Sequence, residues 1–144
     1  MSQSTGSSCC CGGTGASSSD SPLKFSGTLV AVDAPLTEYS GDTPGGMAGT
    51  PVQYPILDGS VQLRLAVSVT ENTMGTTTDF TIFRGGVTTG QKVQVLAGVT
   101  GVSAITTLNV GFAAGDTIDL AVTSPGGALE VGHRIAFSAL IAFV

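Results

Sequence analysis

The chain has 144 residues and a formal net charge of −5, and only 10% of its residues are charged, where about a quarter is usual. Its five basic residues are scattered, which argues against nucleic-acid binding, because phosphate neutralisation needs clustered Lys and Arg. No stretch reaches the roughly 18 apolar residues of a membrane-spanning helix. The length makes one domain with one core, and a surface of Thr, Ser, Gly and Ala in place of charge suits a protein largely covered by copies of itself.

Residues 1–22 form a low-complexity arm of Ser, Gly, Thr and Cys that carries too little apolar surface to order itself. It has neither the basic n-region nor the apolar h-region of a secretory leader, so release by lysis, or assembly on something built inside the cell, is the expected route outward. Within it, SSCCCGGTG holds Cys9, Cys10 and Cys11, the only cysteines of the chain. Neighbouring Cα atoms are about 3.8 Å apart, and a comfortable disulfide wants about 4.4 Å or more. Adjacent cysteines therefore bridge each other only under strain, and the chain offers no distant partner. Useful disulfides from Cys9, Cys10 and Cys11 are expected to join different molecules. The alternatives are a metal site, a lipid attachment point or free thiols. Zinc usually wants four ligands at CxxC-like spacing, and the single histidine, His133, is far away in sequence.

From residue 23 onward the pattern is β. LKFSGTLVAVD (23–33) is a strand. Residues 34–51, with Pro35, Pro44, Pro51 and GDTPGG, read as a long loop, and VQYPIL (52–57) as a short extended piece that Pro55 places at an edge. VQLRLAVSVT (61–70) alternates, with Val61, Leu63, Leu65, Val67 and Val69 on one face. DFTIFR (79–84) runs into Gly85-Gly86, a turn signal. KVQVLAG (92–98), SAITTLNVGF (103–112) and DTIDLAVT (116–123) follow, divided by GVTTGQ, GVTG and AAG, and Pro125-Gly126-Gly127 marks another loop. The chain closes on HRIAFSALIAFV (133–144). There, Ile135, Phe137, Ala139, Ile141 and Phe143 form one face. The other, from Arg134 to Leu140, Ala142 and Val144, turns apolar towards its end. A strand apolar on both faces needs cover on both, and a subunit interface is the simplest second cover. No segment keeps a helical period, and short strands with regular turn signals predict a β-sandwich or barrel.

Catalytic chemistry is not expected. GGTGASS follows no strand and opens no helix, and in GGVTTGQK a Gln stands where a phosphate-binding loop needs Lys. His133 lacks a paired histidine or cysteine and reads as structural or exposed. Asp116 and Asp119 read as a turn residue accepting backbone hydrogen bonds and an outward-facing strand residue rather than as a calcium pair. Thr76-Thr77-Thr78 reads as a hairpin loop. No nucleophile–base pair is visible, and neither a metal nor a cofactor is expected.

The last eighty or so residues resemble the jelly-roll family of complement-type globular heads, tumour necrosis factor and the C-terminal domains of collagen-like exosporium glycoproteins. The resemblance rests on VQLRLAVSV, FTIFRGG, LNVGFAAGDTIDLAV and IAFSALIAFV in that order, with Leu108, Val110, Gly115, Asp116, Ile118 and Phe137-Ser138 at the family's pattern positions. It departs in lacking a Gly-X-Y stalk and in its thin aromatic content. It implies an all-β, antiparallel jelly-roll β-sandwich over residues 23–144, preceded by the extended arm, and a homotrimer with Phe137, Leu140, Ala142 and Val144 as interface candidates. The arm resembles the cysteine-bearing N-terminal connectors of endospore appendage fibre subunits, although those subunits usually carry partner cysteines in the body of the fold. The function expected is a structural subunit that trimerises and stacks into an extracellular fibre, a spore-surface appendage, with itself and an anchoring protein as partners. The rivals are a phage virion protein, either head decoration or fibre, held on the capsid by its arm, and a trimeric receptor- or sugar-binding module using the loops at residues 34–51 and 124–132.

Overall fold

A computed structural model of the chain describes residues 22–40 and 47–144, with residues 103–106 described by their backbone alone. All regular elements among them are β-strands: β1 (Leu23–Val30), β2 (Leu36–Ser40), β3 (Met47–Ala48), β4 (Tyr54–Pro55), β5 (Leu63–Asn72), β6 (Thr78–Arg84), β7 (Val87–Val95), β8 (Gly101–Leu108), β9 (Thr117–Ser124) and β10 (Arg134–Phe143). They form two antiparallel sheets. The first runs β1-β10-β5-β8; the second runs β3-β2-β9-β6-β7, with β4 continuing alongside β9. Pairing is nested: β1 with β10, β2 with β9, β5 with β8, and β6 with β7.

The alternation in the sequence selects the inner faces. Phe25 and Leu29 of β1, Leu63, Leu65, Val67 and Val69 of β5, and Ile135, Phe137, Ile141 and Phe143 of β10 are buried. Opposite them lie Phe80 and Ile82 of β6 and Ile118, Leu120 and Val122 of β9. Both sheets therefore turn one apolar face inward, the arrangement of a two-layer sandwich. Edge-to-face ring pairs join the layers, Phe80 with Phe137 at 4.9 Å between centroids and Phe25 with Tyr54 at 5.4 Å, a geometry that stabilises beyond area burial.

Three local expectations change. The loop expected over residues 34–51 contains two strands, because LTEYS pairs with Leu120–Ser124 of β9 despite the surrounding Pro and Gly. Val61 does not continue the inner face of β5; the strand starts at Leu63, and Val61 is exposed. GVTTGQ is not a separator, since β7 begins at Val87, directly after the two-residue Gly85-Gly86 turn. Both glycines have positive φ, 60° and 78°, which a tight hairpin of this hand requires.

At one end of the sandwich the β9–β10 loop folds onto the segment after β1. The N–H groups of Gly127 and Gly132 donate to the carbonyls of Val32 and Ala31. Gly126 has φ 68°, and a Cβ there would stand 1.9 Å from the Ala34 carbonyl oxygen, so only glycine fits.

Candidate functional site

The feature that the described residues leave without cover is the outer face of the first sheet. Strand register lays it out in rows. Ser26, Ser138, Ser68 and Val102 stand side by side across β1, β10, β5 and β8. The next row places Lys24, Leu140 and Ala66 together, and another places Ala142 beside Arg64 and Thr107. Serines and alanines keep this face low, so larger side chains stand above it. Leu140 is 40% exposed and Val144 54%.

Leu140 sits between two hollows. One, about 470 Å³, is lined by Lys24, Ser26, Ala66, Ser68, Val102 and Ser138. The other, about 230 Å³, is lined by Arg64, Ala66 and Ala142. A leucine thus protrudes beside two shallow, mostly apolar hollows. Among the described residues neither Lys24 nor Arg64 forms an ion pair, while Arg134 lies 3.7 Å from Glu71 at the rim of the same face.

The expected interface residues divide here. Leu140, Ala142 and Val144 share the outer face; Phe137 points the other way, into the core, where its ring packs on Phe80. Cys9, Cys10 and Cys11 lie outside the described residues.

Asp116 accepts a hydrogen bond from the Ala113 N–H at 2.8 Å, closing the turn before β9. Asp119 does face outward from its strand, yet it is 1% exposed. The segment between β3 and β4 crosses over it, and the Val52 N–H donates to its carboxylate, as does Leu120 N–H at 2.7 Å. Burial pushes its pKa up from 3.8 to about 6, against the lowering effect of those two N–H groups. No local pattern signals this, because Val52 lies 67 residues earlier in the chain.

Glu130 is a second buried carboxylate, with no motif around it in the sequence to single it out. It accepts from the Gly75 N–H at 2.9 Å and from the Thr76 hydroxyl at 3.3 Å, joining the β5–β6 loop to the β9–β10 loop. His133 is exposed, and its N–H donates to the Glu130 carbonyl. Among the described residues, no three His, Cys, Asp or Glu side chains are grouped to hold a metal ion. Both buried carboxylates are satisfied by backbone N–H groups and hold loops in place.

Comparison with known protein families and with curated proteins finds no match for this chain.

Proposed function

We propose that the protein is a structural subunit that associates with copies of itself, as a trimer, through the outer face of the first sheet, and that these units stack into an extracellular fibre, a spore-surface appendage. The observation that carries this reading is the Ser/Ala-paved outer face with Leu140 raised between two hollows. The nested pairing of first strand with last, second with next-to-last and so inward supports a jelly-roll wrapping. It also supports the resemblance to the trimeric family that the strand motifs suggest. In this reading the arm of residues 1–22 ties one layer to the next, and Cys9, Cys10 and Cys11 lock layers or neighbours by intermolecular disulfides once the surroundings are oxidising. Three adjacent thiols tolerate imprecise register, because different pairs can reach disulfide geometry. An anchoring protein would hold the fibre at its base.

Leu140→Asp tests the lateral contact. Hiding the exposed 40% of Leu140 is worth about 1 kcal/mol per copy, taking roughly 1.5–3 kcal/mol for a whole leucine. An aspartate in its place adds the cost of desolvating a charge, several kcal/mol more. Light scattering of the full chain in reductant should show trimers and stacks of trimers for the wild type and a lower mass for the variant at the same concentration. A wild-type monomer, or an unchanged mass in the variant, refutes the assignment.

A further inference from the structure

The exposed apolar side chains are concentrated at the two opposite ends of the sandwich. At the end where β10 starts, Val30, Val32, Leu96, Val99, Leu129 and Val131 are exposed. The fold gathers them there: Val30 pairs with Arg134, and Asn72, which pairs with Ile135, donates its side-chain amide to the carbonyls of Leu96 and Val99. Leu129 is the most prominent, 90% exposed. It is held there firmly. Its neighbour Glu130 is buried with its carboxylate on Gly75 and Thr76, and the Glu130 N–H donates to the Gly127 carbonyl at 2.9 Å. The turn is thus pinned on the inside and presents a leucine on the outside.

The opposite end, where the arm joins β1, holds a hollow of about 340 Å³ lined by Pro22, Leu23, Lys24, Phe25 and Tyr54. The Phe25 and Tyr54 rings meet edge to face at 5.4 Å and form its apolar wall. Exposed Leu57, Val61, Val87 and Val144 lie at this same end. Charge is complementary as well. Lys24 lines the hollow, Asp33 is exposed one residue beyond Val32 at the other end, and among the described residues neither is in an ion pair.

We propose that Leu129 of one copy seats in the Pro22–Phe25/Tyr54 hollow of a second copy, so that subunits meet head to tail along the strand direction. A protrusion and a hollow at opposite ends of one chain make a heterologous contact, which repeats without closing and generates a filament. The proposal rests on the self-assembly reading above and names its axial contact, which shares Lys24 with the Leu140 face and is set apart from it by Pro22, Leu23 and Tyr54. It also places Pro22, where the arm meets β1, at the junction between successive subunits.

The test is contact-range photo-cross-linking from Leu129→p-benzoylphenylalanine in the full chain, followed by mass spectrometry of the linked peptides. Leu129 is exposed, so the replacement does not disturb the core. Within one chain the hollow is out of reach, since the length of β1, seven steps of about 3.3 Å, separates the two ends. A link from position 129 to Pro22, Leu23 or Tyr54 therefore comes from another copy and is the expected result. Leu129→Glu should reduce the light-scattering mass of wild-type assemblies to that of single trimers. A link confined to the same chain, a link to the Leu140 face of another copy, or no link at all overturns the end contact. Repeating the cross-link in Leu140→Asp separates the two ideas: a link that persists there, whatever the mass of that variant, upholds the end contact even where the lateral contact fails.

Discussion

Asp119→Asn should make the protein more stable at neutral pH and should do so less and less as the pH falls. The wild-type carboxyl is buried beneath the Val52 segment and has its pKa raised from 3.8 to about 6. Between about pH 4 and pH 6 the folded state therefore holds more of this proton than the unfolded state does. Its contribution is most favourable below the unfolded value and is lost as the pH rises through the folded one. A rise of about two units corresponds to about 3 kcal/mol at most, at about 1.36 kcal/mol per unit. Asn keeps an oxygen that can accept from Val52 or Leu120 and carries no charge to desolvate. Its amide hydrogens need new partners, which costs about 1 kcal/mol at every pH. The expected signature is thus a variant about 1 kcal/mol less stable than the wild type near pH 4 and up to about 2 kcal/mol more stable at pH 7. Urea unfolding at fixed protein concentration in reductant, repeated at half-unit pH steps, measures it. Parallel stability curves across that range would refute the reasoning and would mean that Asp119 is solvated in the folded protein.

Two further outcomes test other parts of the molecule. Gly126→Ala forces a Cβ into the Ala34 carbonyl at a positive φ and should cost about 2–4 kcal/mol, the range of strained or overpacked sites; thermal melts that match the wild type would show that the β9–β10 loop yields. Combined Cys9→Ser, Cys10→Ser and Cys11→Ser should still assemble but fall to monomers in hot detergent without reductant, while wild-type material stays linked; wild-type protein running as a monomer on a non-reducing gel would show that the cysteines join nothing.

The strands that strict alternation marks are legible because an apolar-in, polar-out pattern leaves one way to face a core. Leu63 to Val69 and Ile135 to Phe143 are the clear cases. Val61 shares their phase but falls outside the strand, which begins at Leu63, and its side chain is exposed. Strand β2 was hidden for the opposite reason. LTEYS is short and set among prolines and glycines, and only its pairing with β9 makes it a strand. The start of β7 was hidden by turn-like residues that a hairpin carries into the sheet.

On the candidate site, the two-faced character of β10 is readable from its own residues. The hollows beside Leu140 are not, since they arise where β1, β5, β8 and β10 bring Ser26, Ser68, Val102 and Ser138 into one row. The buried carboxylates follow the same rule. Asp119 and Glu130 take their environments from Val52 and Gly75, which are close only after folding.

Negative-stain electron microscopy of the purified full-length chain tests self-assembly into a fibre most directly. Filaments with an axial repeat of one subunit layer are the expected result, shortened or lost in Leu129→Glu. A field of dispersed particles at every protein concentration, in oxidising and reducing buffer alike, would contradict it.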